Sequence, residues 1–186
     1  MDFESLRFIR HFEIINCDNE NDLVEDESRM QECESAGLQC QLTRGRILTY
    51  AVETERLIEG ICGLYFAPQD PRLRDRLQDI VLASDSCSFS AKVRILYDIA
   101  GVLEITPLPA KAVFDDLMSI RNKFAHGKIV VDWIAKQAFI RHSKKDLDAI
   151  KLAEKFCERY LTARTELVKL AALVREQCQA VEDEAQ

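Results

Sequence analysis

Residues 117–127 read LMSIRNKFAHG, and the spacing of the apolar side chains in this stretch predicts an amphipathic helix. Leu117, Ile120 and Phe124 recur at steps of three and four, and Val113 continues the same series upstream. On a helix of 3.6 residues per turn these four side chains form one stripe. The stretch therefore predicts a helix that packs one face into a core.

The ends of this helix are marked by residues with special backbone geometry. Pro109 stands upstream, where proline favours the first turn of a helix because its φ angle is already helical. Gly127 follows His126, and a glycine at that place is typical of a left-handed C-cap. We therefore predict a helix over residues 109–126.

The rest of the chain is also dominated by helical spacing. The chain has 186 residues with only 6 Gly and 4 Pro, which favours long helices over many short strands. Apolar residues repeat at steps of three and four in four further segments: 38–66, 72–83, 89–101 and 146–181. These observations predict an all-α fold, an antiparallel bundle of four to five long helices with short connections.

One segment leaves two interpretations open. Residues 128–141 begin with the β-branched run Ile129-Val130-Val131, and their apolar positions fit either period. They form either a small hairpin or the start of a helix.

The N-terminal part differs in composition from the rest of the chain. Residues 2–15 are rich in apolar side chains, and residues 16–34 are strongly acidic. We interpret the acidic stretch as a linker or a frayed helix, which places an N-terminal segment at 1–36 and a helical domain at 37–186. The apolar segment is expected to dock on that domain or on a protein partner.

Composition excludes several classes of protein. The net charge of −7 argues against a protein that coats nucleic acid by bulk electrostatics. The N-terminus lacks the basic start and apolar run of a signal peptide, and no run of 18 apolar residues exists, so we expect no membrane span and a cytoplasmic protein. Seven cysteines without a CxxC pair or zinc spacing predict free thiols, no metal site and no cofactor.

The candidate catalytic residues are Arg121, Asn122 and His126. A histidine that titrates near neutrality suits proton transfer, and a guanidinium matches the oxygens of a phosphate. Asn122 lies four residues before His126, on the same helical face, and could bind phosphate or orient the imidazole. This set is sufficient for attack of a ribose 2′-hydroxyl on its phosphate without metal. The alternative is structural, since an arginine and a histidine at a helix end also cap carbonyls.

Weaker candidates for sequence-independent contact with an RNA backbone are basic residues near this helix end and before the last helix. They are Lys123, Lys128, Arg141, His142, Lys144 and Lys145. The alternative for the cluster at 141–145 is a plain solvated turn. Glu53, Glu55 and Glu59, with Arg56, are interpreted as a solvated helix face.

The string at 117–127 resembles the IRN-x-FAH signature of the mannitol-operon repressor family. Residues 89–101, FSAKVRILYDIAG, are similar to a second helix of that family, and residues 44–68 resemble its first long helix. The resemblance covers about residues 40–140. That family in turn resembles the HEPN superfamily of helical bundles, which carry an arginine followed four to six residues later by a histidine.

The resemblance implies a HEPN-like bundle and two alternative functions. Many HEPN proteins are metal-independent endoribonucleases of toxin or phage-defence type, in which two subunits form the cleft, and here Arg121, Asn122 and His126 match their motif. Others, including the repressor-like branch, are non-catalytic regulators or interaction modules. One departure is Lys128, because the toxins paired with nucleotidyltransferase antitoxins carry a tyrosine there.

Overall fold

The computed structural model describes residues 12–17, 26–84, 87–106 and 110–185, and describes side chains as far as residue 180. Helices account for most of this part of the chain. In chain order the elements are β1 Glu13–Ile15, α1 Glu27–Phe66, α2 Pro71–Arg76 continued by a π-helical turn Leu77–Leu82, α3 Phe89–Val102, α4 Lys111–His126, β2 Lys128–Asp132, β3 Gln137–His142, β4 Lys145–Asp148 and α5 Ala149–Ala185. The prediction of a mainly helical chain is confirmed.

The prediction of an all-α fold is wrong, because the chain also forms a four-stranded sheet in the order β1-β2-β3-β4. Strand β1 pairs parallel with β2, and β2, β3 and β4 pair antiparallel. The hairpin that was one of two interpretations for residues 128–141 is the one that forms. Its β-branched residues Val130 and Val131 are fully buried, and so is Ile140 across the ladder, which is why strand pairing is favoured here.

Helix α1 begins earlier than expected. Its first described helical residue is Glu27, and the Asp26 carboxylate accepts a hydrogen bond from the backbone N–H of Arg29 at 3.0 Å, as an N-cap does. The acidic residues 27–34 are therefore helical, and the predicted boundary between residues 36 and 37 falls inside α1. Residues 18–25 of the acidic stretch lie outside the described residues.

Other helix starts have local causes. Asp70 caps α2 by accepting from the N–H groups of Arg72 and Leu73, with Pro71 in the first turn. Ser88 caps α3 through its hydroxyl, which accepts from the N–H of Ala91. The expected start of α4 at Pro109 lies outside the described residues.

The chain forms two compact units, and α1, α4 and α5 contribute residues to both. The first unit combines residues up to Thr49 with Met118–Cys157 and contains the sheet. One cluster of its core consists of four buried side chains: Met30, Cys33, Val131 and Trp133. Phe12 and Ile14, from β1 and the residue before it, pack against this cluster, so the described part of the N-terminal segment docks on its own chain.

The second unit consists of Tyr50–Leu117 and Glu158–Gln186. Its buried side chains are mainly aliphatic, and aromatic pairs add to the packing: Tyr50 stacks on Tyr160 with ring centroids 4.6 Å apart, and Phe114 contacts Phe89 and Tyr97. None of the described helices is long and apolar enough to cross a membrane.

Candidate functional site

The last two turns of α4 carry the predicted catalytic residues. Val113, Leu117, Ile120 and Phe124 are all buried, which confirms the stripe expected from their spacing. Because this face is fixed in the core, the opposite face of the last two turns points outward. Asn122 and His126 are exposed, and Arg121 is half-buried.

Arg121 and Asn122 are joined directly. The Nη1 group of Arg121 donates a hydrogen bond to the Oδ1 atom of Asn122 at 3.0 Å. The bond places a permanent cation and a side-chain amide next to each other, so that both can donate to the same anion. His126 lies one turn beyond Asn122 on the same helical face. The structure thus places Asn122 and His126 on one exposed face of α4, with the half-buried Arg121 hydrogen-bonded to Asn122.

Arg44 is a residue of this region that the sequence argument missed. Its side chain reaches from α1, and its Nη2 group donates to the backbone oxygen of Ala125 at 2.7 Å. The last four carbonyls of a helix lack intrahelical partners, and a cation near them is favoured by the helix dipole. Arg44 therefore fixes the helix end that carries His126. This role could not be predicted from the sequence, because nothing in residues 43–46 indicates a hydrogen-bond acceptor 81 residues away.

Gly127 has a different role from the one predicted. No described glycine has a positive φ, so the left-handed C-cap is wrong. Its N–H instead continues the helical pattern by donating to the Lys123 oxygen at 2.8 Å. A Cβ at this position would collide with the Cγ2 atom of Ile140 on β3 and with the Lys123 oxygen. Glycine is required here because β3 approaches closely, and α4 passes almost directly into β2.

The weaker RNA-backbone candidates fall into two groups. Lys128, Lys144 and Lys145 are exposed, while Lys123 and His142 are half-buried. The Nδ1 atom of His142 lies 3.2 Å from the hydroxyl of Ser143. Ser143 and Lys144 form the β3–β4 turn with φ angles of 52° and 64°, as a two-residue hairpin turn of type I′ requires.

Arg141 is already engaged. It donates to the Asp146 carboxylate at 2.7 and 3.0 Å and to Glu13 at 2.8 Å. Hydrogen bonding to Asp146 is the main reason why the pKa of Arg141 is raised, and Arg141 in turn lowers the pKa of Asp146. Two carboxylates therefore offset its charge, and we leave Arg141 out of the proposed phosphate-binding set.

The carboxylates expected to form a solvated face on α1 lie in the second unit, and for two of them that expectation is wrong. Lys92 of α3 is only 3% exposed, and its ammonium group binds both Glu55 and Glu59, the latter at 2.6 Å. Burial works to lower the pKa of Lys92, but the hydrogen bonds that its ammonium group donates to the two glutamates outweigh burial, and the pKa is raised. Glu53 accepts from the Tyr160 hydroxyl at 2.7 Å.

Five cysteines are free thiols, as predicted: Cys33, Cys40, Cys62, Cys87 and Cys157. Burial raises the pKa of Cys40 to about 11 and that of Cys62 to about 12, so neither is an activated nucleophile. Within residues 12–17, 26–84, 87–106 and 110–185, no group of three or more His, Cys, Asp or Glu side chains is arranged to hold a metal ion.

Comparison of the chain with protein-family models found no match, and comparisons with curated proteins and with solved structures found no significant match.

Proposed function

We propose that this chain is a HEPN-like endoribonuclease that acts as a homodimer and cleaves RNA without a metal ion. The observation that supports the proposal is the end of α4, where Arg121 is hydrogen-bonded to Asn122 and the exposed His126 lies on the same helical face as Asn122. Arg121 and Asn122 bind the scissile phosphate. His126 transfers the proton.

The reaction needs little beyond these groups. The ribose 2′-oxygen attacks phosphorus, the bond from phosphorus to the 5′-oxygen breaks, and the products are a 2′,3′-cyclic phosphate and a 5′-hydroxyl. One group must take the proton of the 2′-hydroxyl and another must protonate the leaving oxygen. In a homodimer the His126 side chains of the two subunits supply the base and the acid. The guanidinium of Arg121 stabilises the charge that develops on the phosphate oxygens.

The test is incubation of single-stranded and structured RNA with the purified protein in EDTA. We expect cleavage that leaves cyclic phosphate ends. His126→Ala and Arg121→Ala should each lower the rate by at least about 100-fold, because each removes a group acting in the transition state. The controls are Arg46→Ala and Arg94→Ala, which change exposed arginines outside the proposed site and should retain activity.

The proposal fails if the wild type leaves all substrates intact, or if both control variants lose activity as fully as the site variants. The oligomeric state, measured by sedimentation at the concentration of the assay, must be the same for all four variants. Otherwise a loss of activity would report dissociation and not chemistry.

A second candidate is a non-catalytic transcriptional regulator or protein-interaction module similar to the mannitol-operon repressors. The observation in its favour is an apolar surface on α1, where Leu38 and Leu42 are 56% and 62% exposed and lie on one helical face. Leu38→Glu combined with Leu42→Glu should then abolish partner binding in a pull-down. RNA cleavage that persists in this double variant, with its dimer intact, would favour the nuclease.

A further inference from the structure

The second unit contains a cavity of about 260 Å³ whose lining is mainly polar. One wall is formed by Leu64 near the end of α1, by Gln69 in the loop that follows, and by Arg74 of α2. The other wall is formed by Arg175 and Gln179 of α5. The cavity is remote in sequence from residues 121–126, and none of the groups in the proposed nuclease site lines it.

Arg74 is held in a fixed position at this cavity. Its stem packs where Gly63 has no side chain: a Cβ on Gly63 would lie 2.8 Å from the Arg74 Cγ atom. Its guanidinium donates through Nε and Nη2 to the Ala67 oxygen at 3.4 and 3.3 Å, and through Nη2 to the Pro68 oxygen at 2.6 Å. These acceptors are neutral carbonyls, so they orient the guanidinium without neutralising it.

The opposite wall adds a second cation and a second amide. Arg175 and Gln179 are four residues apart and therefore lie on the same face of α5. Among the described residues, no aspartate or glutamate lines the cavity. Two guanidinium groups and two amides thus converge on one concave site in a chain with a net charge of −7.

We propose that this cavity binds the phosphate group of a small molecule, in the manner of a phosphate monoester. Arg175 can form paired hydrogen bonds to phosphate oxygens, and Arg74 keeps the two N–H groups of Nη1 for the same anion. Amide N–H groups complete the coordination of a tetrahedral anion. The pre-oriented Arg74 lowers the entropy lost on binding, since its conformation is already fixed. The volume admits a phosphate with a small organic group and excludes a folded nucleic acid or protein segment.

A cysteine thiol in the cavity can report whether phosphate is bound. Cys178 lines the cavity, is half-buried, and has its sulfur 4.0 Å from the Leu64 oxygen. Cys157 is exposed on the same helix and lies outside the cavity, so it serves as an internal reference. The experiment measures alkylation of each thiol by iodoacetamide, using peptide mass spectrometry of the full chain. Inorganic phosphate is the probe, and sodium chloride at equal ionic strength is the blank.

We expect phosphate to slow alkylation of Cys178 and leave Cys157 unchanged. Arg175→Gln should raise the phosphate concentration that gives half protection by about tenfold, because a hydrogen bond to a charged group contributes that much to affinity. Arg72→Gln, on the exposed surface of α2 and away from the cavity, is the matched control and should leave protection unchanged.

Three results overturn the proposal: no phosphate protection of Cys178, equal protection in Arg175→Gln and wild type, or equal protection by acetate. The last result would show a site for carboxylates. Arg74→Gln is a second variant for the same protection assay. Its result is interpreted only if its urea midpoint matches that of Arg72→Gln. The readout is independent of RNA cleavage, so the outcome does not depend on the proposed nuclease activity.

Discussion

The Nη2 group of Arg44 donates a hydrogen bond to the backbone oxygen of Ala125 at 2.7 Å. The bond joins the middle of α1 to the last turn of α4, directly before His126. A carbonyl at a helix end has no intrahelical partner, and a guanidinium both satisfies it and opposes the negative end of the helix dipole. The candidate site therefore depends on a residue that is not one of the predicted catalytic residues.

Replacing Arg44 by glutamine should destabilise the first unit. A hydrogen bond between a charged and a neutral group contributes about 1.5–3 kcal/mol, and we expect a loss of about 1.5 kcal/mol because the contact is only partly buried. Urea denaturation followed by circular dichroism measures the change. Arg46→Gln, an exposed arginine two residues later, should change stability by less than about 0.5 kcal/mol. Equal losses in the two variants would contradict the role assigned to Arg44.

Replacing Lys92 by methionine should destabilise the second unit more strongly. The change keeps most of the side-chain volume but leaves Glu55 and Glu59 without their shared cation. Breaking a buried ion pair costs about 3–5 kcal/mol, and we expect about 3 kcal/mol because the Glu55 side chain is 33% exposed and remains partly solvated. The urea midpoint should fall accordingly.

The control for this prediction removes the two carboxylate charges as well. The triple variant Lys92→Met, Glu55→Gln, Glu59→Gln should recover most of the lost stability, since amides bear no charge that requires compensation. If the triple variant is as unstable as Lys92→Met alone, the loss comes from packing and not from uncompensated charge.

Tyr160 should make stability depend on alkaline pH. Burial, together with the hydrogen bond to Glu53, raises the pKa of Tyr160 from 10.0 to about 12. An acid whose pKa is higher in the folded state binds its proton more tightly there. The contribution of protonated Tyr160 to the free energy of unfolding is therefore fully present below pH 10, and it is lost as the pH rises towards 12.

Absorbance of phenolate on alkaline titration measures this directly. One tyrosine in the folded wild type should titrate near pH 12, and that step should be absent from Tyr160→Phe. Stability of Tyr160→Phe should also fall less between pH 10 and 12 than stability of the wild type. A wild type in which every tyrosine titrates together near pH 10 would contradict this environment for Tyr160.

Local spacing was enough to predict the helices but not the sheet. Val113, Leu117, Ile120 and Phe124 revealed the buried face of α4 because helix periodicity is a property of the nearby chain. Ile129, Val130 and Val131 fit a strand or a helix equally well. Their pairing with β3 and with β1, more than 100 residues upstream, decided between the two.

Long-range partners account for the residues that sequence reasoning missed. Asn122 and His126 are four residues apart, so the face that they share followed from helix geometry, and Arg121 lies on the flank of that face. Arg44 and Lys92 acquire their roles from acceptors 81, 37 and 33 residues away, and no local pattern marks such contacts. For the same reason Glu55 and Glu59 were interpreted as a solvated face, because the buried cation that they bind lies on another helix.

Substitutions of Gly127 test the close contact between the end of α4 and strand β3. In Gly127→Ala the new Cβ would overlap the Cγ2 atom of Ile140 and the Lys123 oxygen, and the backbone oxygen has little room to move. We expect a loss of about 3 kcal/mol, the upper end of what overpacking usually costs. The matched control is Gly45→Ala on α1, where a Cβ meets no atom within 4 Å, and which should gain about 0.5–1 kcal/mol from the better helix propensity of alanine.

Two further variants separate steric overlap from backbone conformation. Asparagine tolerates a left-handed conformation, so Gly127→Asn would be nearly neutral at a left-handed C-cap, whereas the close approach of β3 predicts a loss at least as large as that of Gly127→Ala. Ile140→Ala removes the Cγ2 atom, and in this background Gly127→Ala should cost at least about 1 kcal/mol less, a coupling measured by a double-mutant cycle. A neutral Gly127→Asn, or additive losses in the cycle, would show that contact with Ile140 is not what requires glycine at this position.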